Sequence, residues 1–152
     1  MAMVHGDRPG TVKAVIGLEL FNGFMGVVSG LALLVDSSGA FLGLNTDILE
    51  GLPIGDFFSV GIFLLIAFGV CPLIASWGLI SKSDLSLSRP LKKISLRHWA
   101  WTGALVLSAA EMVWMAVEVV LIGVFPFTYI WLIMQMLIIV VLSVGNVRRY
   151  YA

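Results

Sequence analysis

The sequence predicts an all-α fold: a polytopic membrane protein whose four transmembrane helices form an antiparallel bundle with both termini in the cytoplasm. Three observations carry that reading. The 152 residues are 60% hydrophobic and only 12% charged, whereas a soluble domain has about 45–50% apolar and about 25% charged residues. Such a chain has too little polar surface to cover itself in water, so lipid covers it. Four apolar stretches, at about 12–35, 57–80, 99–124 and 128–147, each approach the ~20 residues that cross ~30 Å of hydrocarbon. All nine Lys and Arg residues then fall on one side of a four-span chain, the side retained in the cytoplasm during insertion. The whole chain, 1–152, reads as a single transmembrane domain.

The first stretch follows Arg8 and Lys13. It is too long for the apolar region of a signal peptide, carries Glu19 and Asn22, and is followed by no small-x-small cleavage site, so it is expected to be retained. Glu19, Gly23, Gly26 and Gly30 share one face, with Asn22 beside them. The Gly26–Gly30 spacing allows close backbone approach, either for self-association or for packing within the bundle. Glu19, about a turn and a half inside Lys13, is expected to snorkel or to pair with Lys13 or Arg8.

Residues 36–56 form the outer loop, with four acids and no base. Thr46 is expected to cap a short helix through Glu50, ended by Gly51 and Pro53. Leu42, Leu44, Ile48, Leu49, Leu52 and Ile54 make this an amphipathic element lying on the outer membrane surface.

Pro72 in the second stretch deprives Phe68 of a backbone hydrogen bond and predicts a kink. The single cysteine, Cys71, cannot form an internal disulfide and reads as a small packing residue. The inner loop, 81–98, carries Lys82, Arg89, Lys92, Lys93 and Arg97. Its topological role accounts for that charge.

No charge falls between Glu118 and Arg148. Gly123 and Pro126 break this interval into two spans joined by a hairpin at 124–127. Arg148 and Arg149 follow the last span. Trp99, Trp101, Tyr129, Trp131, Tyr150 and Tyr151 cluster at the predicted interfaces, where aromatic belts are expected.

Ionisable residues within spans are costly and therefore lead towards function. Glu111 and Glu118 lie seven residues apart on one helix face, with Trp114 near them. An acid at a helix centre costs about 2.5–3.5 kcal/mol on the insertion scale. Residues 100–124 hold ten Leu, Ile or Val, at about 0.3–0.6 kcal/mol each. Two acids thus cancel about as much as those ten supply, so this helix needs polar partners. Gln135 lies at a depth between the two glutamates and can hydrogen-bond either. Thr128, Trp131, Gln135, Leu142 and Asn146 are expected to face inward. Glu111, Glu118, Gln135 and Trp114 form the candidate intramembrane polar site.

His5 and His98 are the only histidines. No Cys/His cluster, P-loop, nucleophile elbow or HExxH is present, so no catalytic, cofactor or metal residue is assigned. The basic residues lack the interleaving of a nucleic-acid face, so the lipid bilayer is the first partner. Three function classes are open. One is an interaction or accessory subunit, or a self-associating bundle, in a homo-oligomer or larger membrane complex. The second is a proton- or cation-coupled carrier of a small hydrophobic or cationic solute using intramembrane glutamates. The third is a membrane enzyme or a quinone- or lipid-binding site.

In Trp114-x-x-x-Glu118-x-x-x-Ile122-Gly123, in Leu42-Gly-Leu44 leading to Gly51-Leu-Pro53-x-Gly-Asp56-Phe57, and in Val147-Arg-Arg-Tyr150, the chain resembles a group of small prokaryotic four-helix membrane proteins. The resemblance implies the four-helix layout, singles out Trp114 and Glu118, and implies no reaction. The small multidrug exporters also have four helices and a first-span glutamate, as Glu19 would be, but their loops are shorter and the surroundings of Glu19 do not match.

Overall fold

The computed structural model of the protein describes residues 8–83 and 98–152. His5 and the loop bases Arg89, Lys92, Lys93 and Arg97 lie outside them. The described chain is all-helical, with no strand. Helix α1 spans Gly10–Val35, α2 Phe58–Ser81, α3 Trp99–Ile122, α4 Pro126–Ser143 and the short α5 Gly145–Tyr150. Helices α1, α2 and α3, of 26, 24 and 24 residues, are long and apolar enough to cross a membrane. Helix α4 is apolar but shorter, with 18 residues. α1 packs along α2 and α4, and α3 packs on the same two helices, so α1 and α3 face each other across the middle.

The α1–α2 contact explains the glycine face. A methyl at Gly26 would fall on the Phe68 carbonyl of α2. At Gly30 it would sit 2.6 Å from the Leu65 backbone nitrogen, and at Gly23 2.7 Å from Leu73 Cγ. The small-xxx-small spacing is therefore consumed inside the chain by close helix approach. Pro72 acts on the same contact. α2 widens into a π-helical segment over Leu64–Val70, ending just before the proline. Wide turns of this kind accommodate a lost i→i−4 bond without breaking the helix.

The α3–α4 turn falls where expected. Gly123 caps α3 with φ of +91°, a value that suits a residue without Cβ, and the Phe125 N–H donates to Thr128 Oγ1 at 3.2 Å. α4 ends four residues earlier than the predicted span. Ser143 Oγ turns back onto the Ile139 carbonyl at 2.7 Å, and Val144 is extended. This break rotates the chain: Val147 is buried, and Asn146, expected to face inward, is exposed.

Chain ends meet at one pole, the basic end. Arg8 donates to the Ile80 carbonyl at 2.6 Å, Lys82 Nζ to the Tyr150 carbonyl at 2.8 Å, and the His98 N–H to the Tyr151 carbonyl at 2.8 Å. The Tyr151 hydroxyl donates to the Leu79 carbonyl at 2.7 Å. Three of the expected belt aromatics are instead buried here: Trp99, Trp101 and Tyr151. Each uses its polar atom on a backbone carbonyl, Trp101 Nε1 on Leu142 and Trp99 Nε1 on Ser83. They act as core residues with satisfied donors.

At the opposite pole, the segment between α1 and α2 folds back over the helices. Asp36, Ser38 and Phe41 knot its start: the Asp36 carboxylate accepts from Ser38 Oγ at 2.6 Å and from the Phe41 N–H at 3.2 Å. Asn45, one residue before the expected Thr46, caps the short 3₁₀ turn Thr46–Leu49 by accepting from the Asp47 N–H. The oily residues of this loop turn towards the protein. Leu49 and Phe57 are buried with Leu33 of α1, and Leu42, Leu44, Leu52 and Ile54 pack around them.

Candidate functional site

Two polar features lie inside the helices, and they differ in kind. The first is a closed cluster near the middle of α1, α3 and α4. Asn22 Nδ2 donates to both oxygens of Glu111, at 3.1 and 3.0 Å, and so bridges α1 to α3. Gln135 Nε2 donates to Glu111 Oε2 and, at 3.1 Å, to Asn22 Oδ1. All three side chains are at most 3% exposed. Of its two candidate partners, Gln135 thus takes Glu111. The Trp131 indole lies beside the same carboxyl, outside hydrogen-bond geometry.

Glu19 joins this cluster from one turn earlier on α1. It neither snorkels nor pairs with a base: it is fully buried and sits in the field of Glu111. Lys13 is exposed, and Arg8 is spent on Ile80. Both Glu19 oxygens lack a hydrogen-bond donor among the described residues. The reason is positional. Residues 19 and 22 share the face that looks across at α3, whereas Lys13 points outward.

The second feature is a cavity of about 310 Å³ between the cluster and the folded loop. Loop residues Leu42, Leu44, Leu49, Leu52 and Ile54 roof it. Its walls are apolar side chains of α1, α2, α3 and α4 and of the residues just before α2 and α4, among them the aromatics Phe57, Phe68, Trp114, Phe125, Phe127 and Trp131. Polar groups are few: Glu118, Ser29 and Thr128, with the two indoles. Glu118 is half-buried, and the Trp114 indole lies beside its carboxyl. The Trp114 and Trp131 indole N–H groups are buried without a hydrogen-bond partner among the described residues. Phe63 packs against Trp114 with ring centroids 4.3 Å apart and the planes tilted by 41°, backing that wall.

The predicted polar site is therefore divided. Glu111 and Gln135 lie in the cluster, and Glu118 and Trp114 in the cavity. Glu19 and Asn22, read from the sequence as part of a packing face, belong with Glu111. Gly23, Gly26 and Gly30 do serve packing. Trp131 lies where the two features meet, a role that its interfacial position in the sequence does not signal. Ser29 and Thr128 are further cavity residues that sequence reading does not assign to a site.

No family model, curated protein or solved structure matches the chain, so the site is read from its own geometry. An apolar concavity with a small number of polar groups has the form of a small-molecule site. The carboxyl and the aromatic faces suit a ligand with positive charge and apolar substituents.

Proposed function

We propose that this is a multi-pass protein of the cell membrane that binds, and carries between the two membrane faces, a small lipophilic cation. In this reading four antiparallel spans form one domain, with termini and basic loop cytoplasmic. Support for the orientation comes from Arg8, Lys82, Arg148 and Arg149, which cluster with the chain ends at one pole, where the positive-inside rule requires them. α4 completes the fourth span with α5 continuing into the interface. The resemblance to small prokaryotic four-helix membrane proteins fits the same layout.

The observation that carries the ligand is Glu118: a half-buried carboxyl on the wall of an otherwise apolar, aromatic cavity. A carboxylate at such depth is costly unless a positive partner reaches it, and among the described residues no Lys, Arg or His lines the cavity. An ammonium or quaternary cation would meet that carboxylate while its apolar part fills the cavity. Cation–π contacts with the indoles add about 0.5–2 kcal/mol. A role as accessory subunit or self-associating bundle loses one support, because the glycine face is filled by α2.

The test uses the full chain in lipid nanodiscs and benzyltrimethylammonium, whose charge does not titrate. Binding should quench tryptophan fluorescence through Trp114 and Trp131, and Glu118→Gln should weaken it about tenfold, or ~1.4 kcal/mol. Equal binding of the neutral carbon isostere neopentylbenzene, or no effect of Glu118→Gln, would remove the cation reading.

A further inference from the structure

The central cluster has more acceptors than donors. Its carboxamide nitrogens, Asn22 Nδ2 and Gln135 Nε2, are spent on Glu111, with Gln135 also reaching Asn22 Oδ1. Gln135 turns its amide into the cluster, is fully buried, and leaves Oε1 with no donor among the described residues. Both Glu19 oxygens are in the same state. Buried acceptors without a donor are expensive, and two buried carboxylates within one another's field are more so. The missing component is a donor with positive charge.

The surroundings supply none. α1 offers only Lys13, exposed and nearer the basic end; α2 offers Cys71, within the field of Glu111. α3 offers Glu118, two turns further along on the cavity wall, and α4 only the exposed Tyr129 near its start. Neither Glu19 nor Glu111 lines the cavity, so a hydrated ion held there does not reach them. A proton is the cation that needs no coordination shell.

We propose that Glu19 and Glu111 hold one exchangeable proton between them, and that Trp131 links this proton site to the cavity. Bound to a carboxyl oxygen, the proton supplies the missing O–H donor. On release it leaves as H⁺ and a carboxylate remains. The Trp131 ring lines the cavity while its indole lies beside Glu111, so the occupant of one site and the charge of the other share a wall. A cation entering the cavity favours release of the proton, and proton binding disfavours the cation, by reciprocal linkage. The link to the cavity rests on the ligand reading above; the proton site does not.

The experiment has two arms, both on the full chain in nanodiscs. Without ligand, an infrared titration should show a protonated-carboxyl stretch near neutral pH that persists in Glu118→Gln and is lost in Glu19→Gln. A band untouched by Glu19→Gln would overturn the proposal. If Glu19→Gln does not assemble, Glu111→Gln decides instead: the remaining Glu19 band must shift, and an unmoved band rejects the shared proton. With benzyltrimethylammonium, wild-type affinity should rise with pH by up to about tenfold per unit, with roughly one proton released per probe bound. Glu19→Gln should flatten that slope while still binding the probe; an unchanged slope would overturn the link. Failure of the probe to bind at any pH would remove the cavity reading and the link with it, while the infrared band still decides the proton site.

Discussion

Towards the basic end the four long helices close on one another; towards the loop end the same helices part around a cavity. Near the first pole Val12, Val15, Leu79, Ala100, Ala104, Ile138 and Leu142 are at most 1% exposed. Near the second, Leu42, Leu44, Leu52 and Ile54 pack as half-buried residues around Leu33, Leu49 and Phe57. Small residues on facing helices make the closed half close, with Gly78 against Trp99 and Ala100. In the open half, large aromatics prop the helices apart beneath a loop. The polar groups follow this division. In the closed half Glu111 is hydrogen-bonded by Asn22 and Gln135, while Glu19 beside it is buried without a donor among the described residues. In the open half Glu118 remains half-buried on the wall of the cavity. One helix thus carries two glutamates in two different chemical settings.

The largest expected effect breaks the α1–α2 contact at the edge of the cavity, on which both halves rest. Gly26→Leu places a side chain on the Phe68 carbonyl, a backbone atom that cannot rotate away. Overpacking of this kind costs about 1–3 kcal/mol, and more when backbone must move. Gly17→Leu is the control, because nothing lies within 4 Å of a methyl there. Thermal unfolding in mild detergent should show Gly26→Leu strongly destabilised or unassembled and Gly17→Leu near wild type. Equal behaviour of the two would refute the close α1–α2 approach.

A good deal of this was legible in the sequence, and the losses have identifiable causes. Helix existence followed from length and apolarity, and the α3–α4 turn from Gly123 and Pro126, because covalent constraints on the backbone act locally. The glycine spacing gave the close contact but not its partner, since a small-xxx-small pattern does not say which helix approaches. Glu19 was placed with Lys13 because sequence distance favours the nearest base; rotation about the helix axis sends them to different faces. Trp99, Trp101 and Tyr151 were read as a belt, because the sequence shows the depth of an aromatic and not whether a carbonyl waits inside for its donor. The cavity has no sequence signature: it arises from a loop folding back on helix ends fifty and more residues away in the chain.

A smaller effect measures the bridge between α1 and α3. Asn22→Ala and Glu111→Gln, singly and together, form a double-mutant cycle on the Asn22–Glu111 bond. Hydrogen bonds between helices in a membrane contribute about 0.6 kcal/mol on average and at most ~1.7. A bidentate contact in the dry half should lie near the upper figure, read by unfolding in mixed micelles. The same cycle on Trp114 and Glu118, in the open half, should give a coupling near zero, because that indole lies beside the carboxyl without hydrogen-bond geometry. Equal couplings in the two halves would erase the distinction between them.

The smallest effect concerns how the roof of the cavity is fastened. The Ser38 hydroxyl beside Asp36 holds its carboxyl below the usual carboxylate range, helped by the Phe41 and Ser38 N–H groups. A carboxyl whose folded value is lowered favours the folded loop above its unfolded value, and the benefit disappears as pH falls through the folded one. The knot should therefore be intact at neutral pH and loosen only in acid, below the ordinary carboxylate range. Because Asp36 is only partly buried and its bonds stay within the loop, the change should be local, with no loss of the helices. Hydrogen exchange at the Ser38 and Phe41 amides reads it directly. In wild type their protection should fall on acidification, whereas Asp36→Asn should be less protected at neutral pH and insensitive to pH. The helix amides of α1 should exchange alike in both proteins. If acid released the α1 amides together with the knot, the loop would be an integral part of the helical core rather than a fastened cover over a separate space.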